Sequence, residues 1–405
     1  MVATLSIEPL FSDEVRLDPY TYYAELHKYG PICALAAEGR QYQFLVTGYD
    51  ACSEVLRGHD FMVMDDTLVV SPPSWEDSRT RAVFFNSMMF TNAPRQPRMR
   101  HLFSRTFTPR RIEEMEPVIE EIAGRLLDRL ADKGGPVDLM ADYAFPLPAS
   151  VLGRLLGVPD EDLPWYRERA AALSKVIELG GGTAENYRKA DEASVDLTDY
   201  FAKMIADRRG RPGDDLLSAL VQAHDEDPGL ISERELLSNL VIVFNAGFVT
   251  TVHLMGNGLT ILLDRPDHLE RLRNDPSLAP DYVDEVLRLE GPTHFVARFA
   301  AADTEVAGVP VPKGSGVLVL LSAANRDPSR FADPDRFDPS RPTASHLAFS
   351  IGAHYCMGAA LARMEGQIGL TRLLQRFPRV NLAEQPPPPR QLMLRGHDRL
   401  MINLS

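Results

Sequence analysis

The chain has 405 residues, is 44% hydrophobic and 25% charged, and carries a formal net charge of -14. This is the composition of a globular protein with apolar material enough to enclose a cofactor, and its negative charge argues against general nucleic-acid binding. Three cysteines, Cys33, Cys52 and Cys356, are too few and too odd in number for a disulfide framework and point to a reducing, cytoplasmic setting.

The N-terminus lacks the basic start and long apolar core of a secretory signal or anchor. The first 60 residues mix a helix with strand-like segments, among them the alternating stretch 41–46 (QYQFLV). Residues 60–95 have weak periodicity and read as a long loop region with short helical pieces, the kind of segment that often covers a site. Helices then dominate. Apolar residues recur at helical spacing over 112–131. Residues 147–156 read as another helix, ended by Gly157, Val158 and Pro159, and Pro164 opens the next. Glycines 180–182 read as a turn between two helices.

Ser232 is a suitable N-cap, and Glu235 three residues on completes a capping box. The helix behind it reaches to about Leu263, roughly 45 Å at 1.5 Å per residue. Being apolar on most sides, it reads as a buried central helix. Its run 236–244 is interrupted by Asn239 and followed by Asn245, so no stretch reaches the roughly 18 apolar residues of a membrane span. Strands follow within 294–320 and near the C-terminus. The prolines at 386–389 read as a short extended connector. With no internal repeat and no long linker, the reading is one domain over 1–405. It is mainly α, with a smaller β-rich region drawn from N-terminal, 294–320 and C-terminal strands.

The segment 349–358 (FSIGAHYCMG) carries the chemistry. Gly352 and Gly358 bracket Cys356, and a strong helix former, 359–363 (AALAR), follows at once. Free N–H groups and the helix dipole at such a place stabilise a thiolate. Gly358 permits close approach of a flat ligand. Taken alone, the cysteine also fits a buried structural thiol. Zinc is disfavoured, because no second cysteine or spaced histidine pair accompanies it. A nucleophile assisted by His354 stays open, although adjacency in sequence is not a dyad.

The spacing Phe349-x-x-Gly352-x-x-x-Cys356-x-Gly358 resembles the haem-binding signature of the cytochrome P-450 family, with Ser350 where glycine is usual. The resemblance implies the P-450 fold, with its long central helix over haem b, and Cys356 as the axial iron ligand whose thiolate pushes electron density onto the metal. It implies that His354 contacts a haem propionate. Glu285 and Arg288 match the family's E-x-x-R pair, although an i, i+3 pair is by itself more often a surface bridge. Arg336 is expected to complete their structural network behind the haem. Arg298 and Arg100 match propionate-binding arginines, whose paired donors suit carboxylates. Gln96 stands where bacterial members usually have histidine; it can donate a hydrogen bond but carries no charge. Ala246, Gly247, Thr250 and Thr251 match the oxygen-binding motif on the long helix, with Val249 in place of its usual acid. Gly247 would make room for O2, and Thr250 would be the alcohol beside it.

Six arginines (Arg95, Arg98, Arg100, Arg105, Arg110 and Arg111) and no acid lie between Thr91 and Ile112. In the family this segment lies where electron donors dock. The chain has no flavin or iron–sulfur signature, so the expected partners are a ferredoxin and its NAD(P)H-dependent reductase. Phe248, His294, Phe295, Val296 and Leu394 are the substrate-pocket candidates. The implied function is insertion of one atom of O2 into an apolar small molecule, such as a polyketide or macrolide of secondary metabolism. A peroxide-driven, ring-coupling or epoxidising enzyme on the same fold, or a non-catalytic binding partner, are the alternatives.

Overall fold

A computed structural model describes residues 2–36, 41–65, 77–178, 183–341, 346–389 and 391–405. The expected turn at 180–182 and part of the 60–95 region lie outside the described residues. The chain divides into two compact units: Met1–Met62, Glu116–Pro148 and Val249–Ser405 form one, and Val63–Met115 with Ala149–Phe248 the other.

The first unit holds the described strands. Six form one sheet, in the spatial order Thr4–Leu5, Ile32–Leu35, Phe44–Val46, Gly316–Leu320, Phe295–Ala300, Phe61–Met62. Phe44–Val46 and Gly316–Leu320 pair in parallel, and Phe295–Ala300 runs antiparallel to Gly316–Leu320 with Arg298 opposite Val317. These strands are rich in β-branched and aromatic residues, and Val46, Val317, Val319, Cys52 and Leu347 share one apolar core. A hairpin joins Thr304–Val306 to Val309–Val311. Its two turn residues, Ala307 and Gly308, both have positive φ, matching the twist of the strands they join. Val380–Leu382, Met401–Leu404 and Val137–Asp138 make a third sheet. Helices Glu116–Lys133, Ala279–Glu290 and Ala359–Arg376 pack in the same unit, where Tyr143 donates its hydroxyl to the Gly369 carbonyl at 2.9 Å.

The second unit is helical. Its core is aromatic: Tyr166 and Phe244 lie 4.1 Å apart between ring centroids, with Phe201 and Phe248 around them. The capping box forms as read: Ser232 Oγ accepts from the Glu235 N–H at 3.2 Å, and Glu235 accepts from the Ser232 N–H at 2.8 Å. The helix it starts is Glu233–Leu263. This helix is long and apolar enough to cross a membrane by length and composition, but 61% of its most apolar window is buried inside the protein, as in a core helix. The asparagines interrupting it are buried too, and Asn239 accepts from the Met88 N–H at 2.8 Å.

The helix read over 112–131 is two, Pro109–Glu113 and Glu116–Lys133. Thr108 caps the first, with Pro109 at its opening position. Pro117 has no N–H to continue that helix and restarts the next.

Candidate active site

The cysteine loop is built by its own backbone. Ser350 N–H donates to Leu347 at 2.8 Å, Tyr355 N–H to Gly352 at 3.1 Å, and Cys356 N–H to Phe349 at 3.0 Å. Gly352 has a φ of +76°, and a Cβ there would fall 2.5 Å from the Leu56 carbonyl oxygen, so only glycine fits. Ser350, where the motif usually has glycine, also takes a left-handed φ of +57°. Helix Ala359–Arg376 begins directly after Gly358. Cys33 and Cys52 are fully buried in the core, and burial pushes both thiols upward. Cys356 alone of the three keeps accessible surface.

Behind the loop stands a buried ion pair. Glu285 and Arg288, on helix Ala279–Glu290, meet through two hydrogen bonds of 2.7 and 2.8 Å, with Arg288 side chain 1% exposed. Arg288 also donates to the Asn325 carbonyl at 2.9 Å, and Asn325 Oδ1 accepts from the Leu347 N–H at 2.6 Å. The pair is thereby linked through Asn325 to the residue that starts the cysteine loop. Phe349 is gripped from another direction: Arg363 lies 4.6 Å over its ring and is bonded to Asp284 at 2.6 Å.

One expectation is corrected here. Arg336 does not complete this network with its side chain, which is 64% exposed and pairs with Asp338. Arg341 does so instead. Its Nε donates to Glu285 at 3.3 Å, and its other nitrogens donate to the carbonyls of Ala332, Asp333 and Arg336. Arg336 supplies only its carbonyl, to Arg288 and Arg341. The turn at 333–338 aims the Arg336 side chain at solvent, while residue 341 returns toward Glu285.

Arg298 lies in strand Phe295–Ala300, 6% exposed, and burial draws its pKa down to about 10. Its hydrogen-bond partner is the Ala297 carbonyl at 2.8 Å, and no carboxylate among the described residues lies within 4 Å. A buried guanidinium without an anion is costly. It suits a ligand that brings carboxylates. Beside Gly358, a Cβ would meet no atom within 4 Å, so the approach to the cysteine loop is open there. A buried cation seeking carboxylates and an accessible thiol with clear space beside it fit haem b.

On the long helix, Thr251 is buried and Thr250 half-buried. A Cβ at Gly247 would fall 2.7 Å from Leu152 Cδ1, so close packing of the helix against Leu152 is one physical reason for glycine at that position. In the second unit, Gln96 is buried and Arg100 half-buried, one turn apart on helix Arg95–Thr106.

The pocket candidates separate. Both ring nitrogens of His294 face tyrosine hydroxyls, Tyr23 at 3.1 Å and Tyr20 at 3.3 Å, and its side chain has no accessible surface. His294 therefore belongs to a buried polar cluster rather than to a cavity wall. Phe248 packs in the aromatic core of the second unit, and Phe295 is buried in the sheet. Val296 and Leu394 keep partial exposure.

A mainly helical protein with one accessible cysteine in a glycine loop at a helix start, braced by a buried Glu–Arg pair, is of the haem-thiolate class. The chain belongs to the cytochrome P450 family, whose model matches residues 11–152 and 183–402; it is a monooxygenase, and its cofactor is haem b. It is 38% identical over 412 residues to 6-deoxyerythronolide B hydroxylase of Saccharopolyspora erythraea, covering 99% of each chain. It is 38% identical over 376 residues to cytochrome P450 monooxygenase PikC of Streptomyces venezuelae, covering 91% of this chain and 86% of that one. The solved structure of P450BioI, in complex with an acyl carrier protein carrying hexadec-9Z-enoic acid, superposes with a TM-score of 0.89 at 34% identity, covering 97% of this chain and 100% of that one.

Proposed function

We propose that this monooxygenase hydroxylates a macrolide or a related apolar polyketide, with electrons from a separate ferredoxin and its NAD(P)H-dependent reductase. The observation that carries the substrate class is the end-to-end likeness to the hydroxylase of 6-deoxyerythronolide B. Haem, when bound, supplies the redox chemistry that activates O2.

The chain's residues hold and serve that group. Cys356 would hold the haem iron through its thiolate; it lies just before helix Ala359–Arg376, where the dipole favours a thiolate. Arg298 would neutralise one propionate, and His354, Arg100 and Gln96 would serve as hydrogen-bond donors to the propionates. Val249 carries neither proton nor hydrogen bond. Proton delivery then falls to Thr250 and Thr251 with the water they order, assisted by a hydroxyl of the substrate. Val296 and Leu394 contribute to the apolar lining. The exposed arginines of 105–111 receive an acidic electron donor.

Titrating the holoenzyme with macrolactones, and separately with fatty acids, while following the haem optical band tests the substrate class. A saturable shift with a macrolactone, followed by a product one oxygen atom heavier when ferredoxin and reductase are added, is expected. A shift with fatty acids alone would overturn the substrate assignment. Equal turnover with hydrogen peroxide and no protein donor would overturn the electron route.

A further inference from the structure

The second unit contains a cavity of about 370 Å³ lined by Arg79, Arg81, Arg234, Asp77, Phe85 and Asn86, among others. It brings three guanidinium groups and one carboxylate together in a chain whose net charge is -14. None of the three arginines has an ion-pair partner among the described residues; Arg79 and Arg234 are exposed at the cavity rim, and Arg81 is half-buried. Arg81 is the most committed of them. Its guanidinium stands 5.4 Å from the centroid of the Phe85 ring, while its Nε is buried with no acceptor. A buried donor left unmade is costly, and an acceptor brought from outside would satisfy it. The nearby Arg95 contrasts with it: its guanidinium is already spent on Glu235 at 3.1 Å and on Asn86 Oδ1 at 3.1 Å. The remaining cations are therefore the ones facing the cavity unpaired. The wall is held still, because Ser78 and the Thr80 N–H are both bonded to Asp191, at 2.6 and 2.9 Å.

We infer that this cavity binds the oxyanion group, phosphate or carboxylate, of a small molecule. Guanidinium groups present paired N–H donors that match both anions. A concave site of this size admits one such group and its immediate substituents, whereas an acidic protein surface would meet a flat patch. The anion is either a free effector or the charged end of a substrate. Two probes separate the chemistries: inorganic phosphate, which presents a tetrahedral oxyanion, and succinate, which presents carboxylates.

The test is calorimetric titration of the haem-loaded protein with each probe at low ionic strength, with sodium chloride as the ionic-strength control. The expected result is saturable, single-site binding of at least one probe and none of chloride. Arg81→Gln should weaken it tenfold or more, and Arg79→Gln and Arg234→Gln several-fold each. Arg129→Gln, an exposed arginine of the first unit, should leave it unchanged. The haem absorbance of each variant reports that it is folded, so a lost signal is not mistaken for an unfolded protein. Absence of saturable binding by both probes, or unchanged affinity in the triple variant R79Q/R81Q/R234Q, would overturn the assignment. The readout is binding rather than turnover, so it stands apart from the substrate class proposed above.

Discussion

Arg341 and Arg336 sit five residues apart and do different work. Arg341 is 12% exposed and donates to the buried Glu285 and to three carbonyls of the 332–336 turn, so Arg341→Ala takes a charged donor from Glu285 and unties that turn. It should destabilise by about 1.5–3 kcal/mol and loosen haem retention. Arg336→Ala removes an exposed pair and should change stability by less than about 0.5 kcal/mol. Denaturant unfolding of the two variants, followed by haem absorbance, separates them. Glu285 and Arg288 were legible in the sequence because they resemble the family's E-x-x-R pair; their spacing alone would have read as a surface bridge. The third member lies more than forty residues away in irregular chain, where spacing says nothing about which arginine turns inward. Asn325 and Asp284 were missed for the same reason, since each acts on the cysteine loop from a distant segment, whereas Arg363 lies one helix turn past the loop and only the structure shows it folded back over Phe349. His294 misled in the opposite direction: its place at the start of a strand suggested a pocket, and only its tyrosine partners show that it is enclosed. Thr250→Ala should raise hydrogen peroxide release and lower product per NAD(P)H, with haem content and substrate affinity unchanged. Unaltered product yield would make Thr250 a packing residue.

The long helix Glu233–Leu263 was legible from its capping box and apolar surface because both are local properties. The division of 112–131 was less so, since apolar spacing continues across the break and only Pro117 marks it. What the helix meets near its C-terminal half could not be read at all. His253 packs against the 396–397 turn, where His397 accepts or donates to Thr260 Oγ1 at 3.0 Å. Burial, then the repulsion of a second positive charge, at His397 for His253 and at Arg395 for His397, holds both imidazoles down at about 4. Unfolded, each would titrate near 6.5. Between those values the unfolded chain binds more protons than the folded one, so stability rises with pH in that window and is lost as pH falls from about 6.5 toward 4. Thermal midpoints from pH 4 to 7 should fall on the acid side, and His397→Gln should flatten that fall. An unchanged profile would remove these histidines from the account.

The molecule as a whole is acidic, yet helices Arg95–Thr106 and Pro109–Glu113 carry an arginine-rich stretch. Arg95 and Arg98 are bonded within the second unit, to Glu235 and to the Gly229 and Leu230 carbonyls. Arg105 and Arg110 face solvent, Arg110 with 87% of its side chain exposed. Exposed charges steer a partner over a Debye length of about 8 Å at physiological salt. Reversing Arg110 and Arg111 to Glu should therefore slow reduction by ferredoxin several-fold at low salt and leave substrate affinity unchanged. A rate indifferent to both salt and reversal would place docking elsewhere. The fold class was legible because helix periodicity and the cysteine loop are short-range signals. The two-unit division was not, because it depends on three discontinuous segments coming together. All of this rests on Cys356 holding the iron, and the optical spectrum of the reduced, carbon-monoxide-bound protein tests that most directly. Ligation by Cys356 gives the strongly red-shifted Soret band of a haem-thiolate protein, lost in Cys356→Ser. A wild-type band at the position of a histidine-ligated haem would contradict it.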